Sequence, residues 1–225
     1  MTEQSANLFW EQPEIVEQFA SRAPDHRLVP LASRYADTAE VAVLDLGCAG
    51  GRNTEWLAKQ GFDVWAVDAS GPMVARTRER LATVLGAEEA GRRVLLSRME
   101  ALSDFPDSRF ALVVALGVFH NAGSWAEWQR SVEEAARVLA PGGLMLVNHF
   151  TPEVNLTGKG VTAVQGEPYV FEGRPGGRSV LLDAVHLDEA MALHHLKPDT
   201  PSITVHVDFS GGSRTSVNAL YRKTD

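Results

Sequence analysis

The chain has 225 residues, 44% of them hydrophobic, and a formal net charge of −8. This length suits one α/β domain with a large core, and no apolar stretch approaches the roughly 20 residues that a membrane helix needs. The acidic balance, with no Lys/Arg run beyond pairs such as Arg92-Arg93, argues against a nucleic-acid partner, so we expect a small-molecule substrate.

The cysteine content and the first residues bear on the compartment. Cys48 is the single cysteine, which excludes an intrachain disulfide and is typical of a reducing cytoplasm. Residues 1–5 lack the basic start and hydrophobic stretch of a secretory signal. We therefore expect a cytoplasmic protein that does not enter a membrane and that acts as a monomer or homodimer.

Apolar periodicity and cap residues predict alternating helices and strands over the first 150 residues. Helical spacing appears at residues 13–20 and 28–35, ahead of the first strand. The predicted strands cover residues 41–46, 62–67, 93–97, 110–116 and 144–149. Three helices are predicted between these strands. The first starts at the N-caps Asn53-Thr54 and ends at Gly61, and the second starts at Ser70 and ends near Leu85. The third starts at the capping box of residues 124–127 and ends before Pro141. This alternation favours a parallel sheet with helices on both faces.

The last third of the chain has a different pattern. Residues 151–180 are rich in glycine, proline and polar residues and predict a long loop or a small hairpin around residues 173–177. A helix is predicted near residues 187–197. Two strands, 202–209 and 214–222, flank the turn sequence of residues 210–213 and predict an antiparallel hairpin. We expect one domain: a helical cap at 1–40, a core at 41–150, a variable segment at 151–200 and the hairpin at 201–225.

A strand, a glycine-rich turn and a helix start follow one another at residues 41–54. The strand ends in Asp45, and Gly47 and Gly51 give the turn a flexible backbone without a Cβ in the way of a ligand. This unit places a nucleotide-like ligand on backbone N–H groups. The next strand ends in Asp68, 21 residues after Gly47, where a carboxylate can accept the two ribose hydroxyls. Together the two signals predict an adenosine-containing ligand.

A dinucleotide is disfavoured by one residue. The fingerprint G-x-G-x-x-G/A, started at Gly47, places Ala49 second and Arg52 third. Arginine is too large for the close packing of helix on strand that the third position requires. An NAD-linked oxidoreductase is therefore the weaker alternative.

Residues 45–51 resemble motif I of the class I S-adenosylmethionine-dependent methyltransferases, D/E-x-G-x-G-x-G, with Ala49 in place of the middle glycine. The resemblance implies a Rossmann-like three-layer α/β sandwich with a mostly parallel seven-stranded sheet, in which the last strand of the C-terminal antiparallel hairpin inserts beside strand five. It also implies S-adenosyl-L-methionine as cofactor and a small-molecule acceptor methylated at O, N or S. Residues 51–64 are locally similar to the tellurite-resistance and thiopurine methyltransferases.

The resemblance also implies roles for single residues. The turn after strand one would wrap the methionine portion of the cofactor, Asp68 would bind the ribose, and the loop after strand three would contact the adenine. The end of strand four would face the sulfonium and the amino group. The residues expected to bind cofactor are Asp45, Gly47, Cys48, Ala49, Gly50, Gly51, Asn53, Asp68, Ala69, Met73, Met99, Glu100, Ala115, Leu116 and Phe119.

His120 is the candidate catalytic residue. It follows strand four, where the carboxyl end of the strand opens onto the crevice, and imidazole has a pKa suited to a general base. The alternative is that His120 and Phe119 only cover the cofactor. No metal is expected, because metal-dependent relatives carry an acid after strand four and an Asp-Asn pair after strand five, where this chain has His120-Asn121 and Asn148-His149. A metal bound by these histidines is the alternative. A non-catalytic protein that binds S-adenosylmethionine is a further alternative.

Overall fold

A computed structural model describes residues 9–225; the interpretation of residues 1–5 therefore lies outside the described residues. The helices are α1 (Pro13–Ala20), α2 (Leu28–Ala32), α3 (Arg52–Lys59), α4 (Gly71–Leu85), α5 (Ala87–Arg93), α6 (Trp125–Val138) and α7 (Ala184–Ala192). The first strands are β1 (Ala42–Leu46), β2 (Asp63–Asp68), β3 (Val94–Leu96), β4 (Phe110–Leu116) and β5 (Leu139–Phe150). The later strands are β6 (Thr162–Ala163), β7 (Val170–Arg174), β8 (Gly177–Val180), β9 (Leu196–Phe209) and β10 (Gly212–Lys223). Short 3-10 turns lie at Thr38–Glu40 and Phe119–Asn121.

One seven-stranded sheet organises the protein. Its strand order is β3-β2-β1-β4-β5-β10-β9. The first five strands in this order are mutually parallel, whereas β10 is antiparallel to both β5 and β9. The fold class is therefore confirmed, including the hairpin whose last strand inserts beside strand five.

Two apolar clusters cover the two faces of this sheet. On one face Trp128 of α6, Leu187 of α7 and Tyr221 of β10 are fully buried. On the other face Leu28, Leu57 and Leu81 bring α2, α3 and α4 against β1, β2 and β4. Helices on both faces give the three layers, and burial of this apolar surface is the main force that holds them together.

The structure corrects several element boundaries. Helix α3 begins at Arg52, and its N-cap is Gly51 in the left-handed conformation, so Asn53 and Thr54 lie within the first turn and are not caps. Helix α5 was not predicted; its first turn carries Glu88 and Glu89 and its last turn carries arginines. This charge order stabilises a short helix through its dipole.

Strand β5 starts five residues earlier than predicted, at Leu139. The turn expected at residues 141–143 is instead an irregularity inside the strand: β4 pairs Phe110 with Leu139 but Leu112 with Leu144, and Gly142 has φ +75°. The small hairpin expected near residues 173–177 is present as β7 and β8, and with β6 it forms a separate three-stranded sheet. The following helix lies earlier than predicted, because Asp183 caps it by accepting the His186 N–H.

Candidate active site

A cleft opens at the carboxyl ends of β1, β2 and β4, with an open volume of about 1110 Å³ including its mouth. Its position outside the carboxyl ends of parallel strands is where ligands bind in sheets of this type. The floor is formed by residues at the ends of the strands, which are Leu46, Gly47, Val67, Asp68, Leu116 and Gly117.

The turn after β1 passes close to the end of β4. Gly47 and Cys48 both donate their N–H groups to the Val67 carbonyl, at 2.9 and 3.0 Å. Gly47 has φ +72°, and a Cβ there would lie 2.7 Å from Cγ2 of Val118. Glycine is therefore required at this position both by the backbone conformation and by the space available.

Asp68 is the carboxylate that faces the cleft from the end of β2. Its Oδ2 accepts the Ala49 N–H at 2.8 Å and its Oδ1 accepts the Ser70 N–H at 2.9 Å. Burial raises its pKa, while these N–H groups and that of Ala69 oppose the rise. Each oxygen of an ionised carboxylate keeps a second acceptor position, so Asp68 can bind a diol without losing its backbone partners.

Asp45 does not line the cleft, contrary to the prediction. Its side chain is buried, and its Oδ2 accepts a hydrogen bond from the Thr54 hydroxyl at 2.6 Å. Burial raises the pKa of Asp45 to about 6, and the negative charge of Asp68 contributes more weakly to this rise. The hydrogen bond from Thr54 and the positive charge of Arg52 act in the opposite direction and lower the pKa. Asp45 thus fixes the start of α3 to the end of β1 and supports the turn from behind.

The raised pKa of Asp45 predicts a pH-dependent cost to stability. The folded protein holds the Asp45 proton between pH 4 and pH 6 and the unfolded chain releases it, so this group lowers the free energy of unfolding as pH rises through that window. At pH 7 the cost is about 3 kcal/mol. Asp45→Asn keeps an acceptor for Thr54 and carries no charge, so we expect it to be more stable than the wild type at pH 7 and equally stable at pH 4.

Urea unfolding of Asp45→Asn at the two pH values measures this difference. The exposed Asp104→Asn is the matched control and should show no pH-dependent gain. A stability difference between Asp45→Asn and the wild type that is the same at pH 4 and pH 7 would contradict an Asp45 pKa near 6.

The loop after β3 forms the wall at one end of the cleft. Ser97, Arg98, Met99 and Glu100 all line it. Arg98 is paired with Glu100 and, at 2.9 Å, with Glu127 of α6. The second carboxylate oxygen of Glu100, Oε2, is buried and accepts no hydrogen bond within residues 9–225. A buried acceptor without a donor is costly, and a ligand N–H group at this end of the cleft would relieve the cost.

The roof of the cleft comes from the two segments with the weakest sequence patterns. Trp10 and Phe19 line it from the N-terminal part of the chain, and Gly176 lines it from the turn between β7 and β8. The Trp10 and Phe19 rings meet edge to face at 5.6 Å, and the Ser70 hydroxyl donates to the Trp10 carbonyl at 3.2 Å. These residues shield the cleft from solvent.

The structure brings most of the predicted cofactor-binding residues into the cleft. Those that line it are Gly47, Cys48, Ala49, Asn53, Asp68, Ala69, Met73, Met99, Glu100 and Leu116. Cys48 is buried, which raises the pKa of its thiol well above the usual value and leaves it without nucleophilic character.

Five predicted cofactor-binding residues do not line the cleft. Besides Asp45, these are Gly50, Gly51, Ala115 and Phe119. Gly50 instead allows α1 to approach, because a Cβ there would lie 2.5 Å from Cβ of Ala20. Gly51 is the cap of α3, and Ala115 and Phe119 are fully buried in the core.

His120 is also placed outside the cleft lining. Its ring is buried and stacks on Phe150 at 4.1 Å, and its Nδ1 accepts the Phe150 N–H at 3.3 Å. Burial, and more weakly the charges of Arg174 and His149, lowers its pKa well below the usual value. The observed contacts are those of a core residue, which differs both from the predicted catalytic role and from the alternative that His120 only covers the cofactor.

Sequence reasoning missed several lining residues. Arg52 entered only as an obstacle to a dinucleotide, yet its side chain lines the cleft, as do Asn121 and Glu127. The spacing S-x-x-E at residues 124–127 pointed to a cap, which exists, since Ser124 accepts the Glu127 N–H at 3.2 Å. Nothing local indicated that the same glutamate also reaches Arg98. Within residues 9–225 no group of three His, Cys, Asp or Glu side chains is placed to hold a metal ion.

Comparison with known proteins shows similarity to methyltransferases. Residues 44–147 match a family model described as a methyltransferase domain. A ubiquinone biosynthesis O-methyltransferase of Caulobacter sp. (strain K31) is 33% identical over 136 residues, which is 60% of this chain and 50% of that protein. A demethylmenaquinone methyltransferase of Thermus thermophilus is 33% identical over 120 residues, 52% of this chain and 50% of that protein. The chain thus spans about half the length of these relatives.

Solved structures share the fold. The CcbJ methyltransferase of Streptomyces caelestis superposes with a TM-score of 0.65 at 22% identity and covers 100% of both chains. The Burkholderia thailandensis 1,6-didemethyltoxoflavin-N1-methyltransferase, solved with S-adenosylhomocysteine, has a TM-score of 0.59 at 21% identity and covers 82% of this chain and 72% of that one.

Residues 44–147 therefore match a methyltransferase domain, and the sheet order and the glycine turn resemble those of the class I S-adenosylmethionine-dependent methyltransferases. The cofactor of this class is S-adenosyl-L-methionine. The closer similarity of residues 51–64 to the tellurite-resistance and thiopurine group stays a prediction. Within the residues that the structure describes, no helix is both long enough and apolar enough to cross a membrane.

Proposed function

We propose that this protein transfers the methyl group of S-adenosylmethionine to a small-molecule acceptor. The observation that carries the proposal is the Asp68 carboxylate, which faces a cleft roofed by Trp10 and Phe19 beside the Gly47 turn. A diol-binding carboxylate next to a glycine turn at the carboxyl end of the sheet is the arrangement that an adenosyl ligand requires.

The residues of the cleft fit the cofactor along its length. Asp68 would accept the ribose hydroxyls, and the orphaned Oε2 of Glu100 would accept an N–H of the adenine, with Met73 and Met99 against the base. The turn of residues 47–49 and Leu116 would hold the methionine portion. When bound, S-adenosylmethionine supplies a methyl group on a sulfonium, which becomes a neutral thioether as the acceptor's lone pair forms the new bond to carbon.

The protein's part in such a transfer is to position and to desolvate. Trp10, Phe19 and Gly176 line the cleft and would reduce the access of water to a bound cofactor. Holding two reactants in line, away from water, accounts for several kcal/mol of barrier reduction without an acid or base. We do not assign a base role to His120, because its Nδ1 is already engaged by the Phe150 N–H.

We place the acceptor between the N-terminal helices and the segment of residues 151–180. Support comes from the roof, in which Trp10 and Gly176 approach each other: a Cβ on Gly176 would lie 3.5 Å from Nε1 of Trp10. We further propose that the chain forms a single domain and acts as a monomer or homodimer. We place it in a reducing cytoplasm, with small molecules and not nucleic acid as substrates. A net charge of −8 and the single cysteine support this.

Calorimetric titration with S-adenosylmethionine, S-adenosylhomocysteine and NAD, followed by methyl-release assays on a panel of phenols, amines and thiols, tests the proposal. We expect both sulfur compounds to bind and NAD not to bind. Binding of NAD alone would overturn the proposal in favour of an oxidoreductase. Tight binding of S-adenosylmethionine without turnover on any acceptor would favour a non-catalytic protein.

A further inference from the structure

Arg52 lines the cleft, and two further arginines approach it from other elements, although the chain as a whole carries a net charge of −8. We call Arg22, Arg52 and Arg214 the arginine cluster. The three residues come from the end of α1, the start of α3 and β10, so the sequence gives no sign that they meet.

Arg52 connects the arginine cluster to the cleft, because its side chain is part of the lining. Its Nη1 donates to the Ala23 carbonyl at 2.7 Å, which holds the guanidinium beside the end of α1. The nearest carboxylate is Asp25, at 3.9 Å from Nη2. Asp25 is already engaged by Arg27, whose Nε and Nη2 both donate to it at 2.7 Å. Arg52 is therefore held in place without a dedicated acidic partner.

Arg22 lies over the Phe19 ring, with its guanidinium carbon 4.2 Å from the ring centroid. Phe19 itself lines the cleft, so Arg22 stands at the mouth. Within residues 9–225, Arg22 makes no hydrogen bond and no ion pair. Partial burial lowers the pKa of Arg22, and the positive charges of Arg52 and Arg214 lower it further.

Arg214 lies on β10, on the face of that strand that is turned toward the N-terminal helices. In β10, Ser216 pairs with Phe150 at the carboxyl end of β5, and Arg214 lies two residues further along on the same face. Asn218 lies two residues after Ser216 on the same face and accepts a hydrogen bond from Arg27. This face of β10 is therefore turned toward the N-terminal helices. Arg214, too, has no hydrogen-bond or ion-pair partner among residues 9–225.

The acidic side chains of the cleft lie at its other end. Asp68 sits at the end of β2 and Glu100 follows β3, at the side of the sheet away from β10. The cleft is therefore acidic where we place the ribose and adenine and basic where it opens beside the N-terminal helices. Cations that lie near one another repel, and an anionic ligand that docks on them relieves the repulsion.

We propose that the methyl acceptor is an anion, and that Arg22, Arg52 and Arg214 bind its carboxylate or phosphate group at the mouth of the cleft. The planar guanidinium groups can each offer two parallel N–H donors to such a group. That the bound anion is the methyl acceptor rests on the proposed function. The anion site itself is tested by binding measurements that need no methyl transfer.

The test titrates benzoate, phenyl phosphate and the neutral benzamide into the protein, with and without saturating S-adenosylhomocysteine, and follows the arginine Nε–Hε signals by NMR. We expect benzoate or phenyl phosphate to bind the S-adenosylhomocysteine complex at least about tenfold more tightly than benzamide. The more tightly bound of the two anions identifies the acceptor's group. The double variant Arg22→Gln/Arg214→Gln should lose this preference and keep its affinity for S-adenosylhomocysteine.

Arg92→Gln is the matched control, because Arg92 is an exposed arginine of α5 at the opposite edge of the sheet, and it should retain the preference. Equal binding of benzoate, phenyl phosphate and benzamide by the wild type would overturn the proposal. So would a large loss of S-adenosylhomocysteine affinity in the double variant, since the arginine cluster would then serve the cofactor's own carboxylate. Failure of S-adenosylhomocysteine to bind the wild type would instead refute the proposed function, while anion binding would still be measured.

Discussion

Asp68→Ala is expected to weaken the binding of S-adenosylhomocysteine about 100-fold. The substitution removes the carboxylate that we assign to the two ribose hydroxyls, and hydrogen bonds to a charged group contribute about 1.5–3 kcal/mol each. It also leaves the Ala49 and Ser70 N–H groups without their acceptor, which loosens the turn on which the ligand lies. Isothermal titration calorimetry of the folded variant measures the effect.

Two further variants separate the ribose contact from a general effect on β2. Asp63→Ala removes a carboxylate at the opposite end of the same strand, where it pairs with Arg93 and Arg109, and should bind S-adenosylhomocysteine like the wild type. Asp68→Asn keeps one acceptor oxygen and should show an intermediate loss. If Asp68→Ala binds S-adenosylhomocysteine normally, the assignment of this carboxylate to the ribose is wrong.

Gly47→Ala is expected to abolish measurable cofactor binding and to lower the free energy of unfolding by about 3 kcal/mol. Two costs combine at this position. The residue has φ +72°, which an L-residue adopts at a cost of about 1–2 kcal/mol, and its new Cβ would lie 2.7 Å from Val118 Cγ2. Relief of that clash must move the turn of residues 47–49 or the end of β4, and both form the floor of the cleft. Chemical denaturation and calorimetric titration measure the two effects.

Gly142→Ala is the control for the backbone term alone. Gly142 has φ +75°, close to that of Gly47, and a Cβ there would meet nothing within 4 Å. We expect it to lose about 1 kcal/mol of stability and to bind S-adenosylhomocysteine normally. Equal destabilisation by the two substitutions would show that the contact with Val118 does not matter.

Local patterns were sufficient for most of the secondary structure. The strand of residues 110–116 was predicted with its observed bounds, because a short apolar run between polar turns has only one reading in an alternating α/β chain. Helix α4 was also found correctly, since Ser70 caps it by accepting the Met73 N–H. The errors lie where a tertiary contact or a short charged helix decided the boundary, as at Gly51 and in α5.

The candidate site could be predicted only as far as it depends on the backbone. Asp68 and the turn of residues 47–49 occupy positions fixed by strand, turn and strand, and they do line the cleft. Asp45 has the same kind of sequence signal, yet its side chain points to Thr54 and away from the cleft. Which side of a turn a carboxylate faces depends on the helix that packs against it, and no local pattern encodes that choice.

His120 illustrates the same limit. Its place after strand four was read correctly, but the stacking of its ring on Phe150 depends on where β5 ends, 30 residues later in the chain. The arginine cluster is the extreme case, because it joins residues from the end of α1, the start of α3 and β10.

The sequence by itself determined the α/β class, the parallel core strands, the C-terminal hairpin and the glycine turn after the first strand. These follow from periodicity, from caps and from glycine positions, which act over a few residues. Only the tertiary structure decided which carboxylate faces the cleft, that His120 is buried, and which arginines approach Arg52. Those properties arise from side chains that meet across the fold, where packing and desolvation set both geometry and pKa.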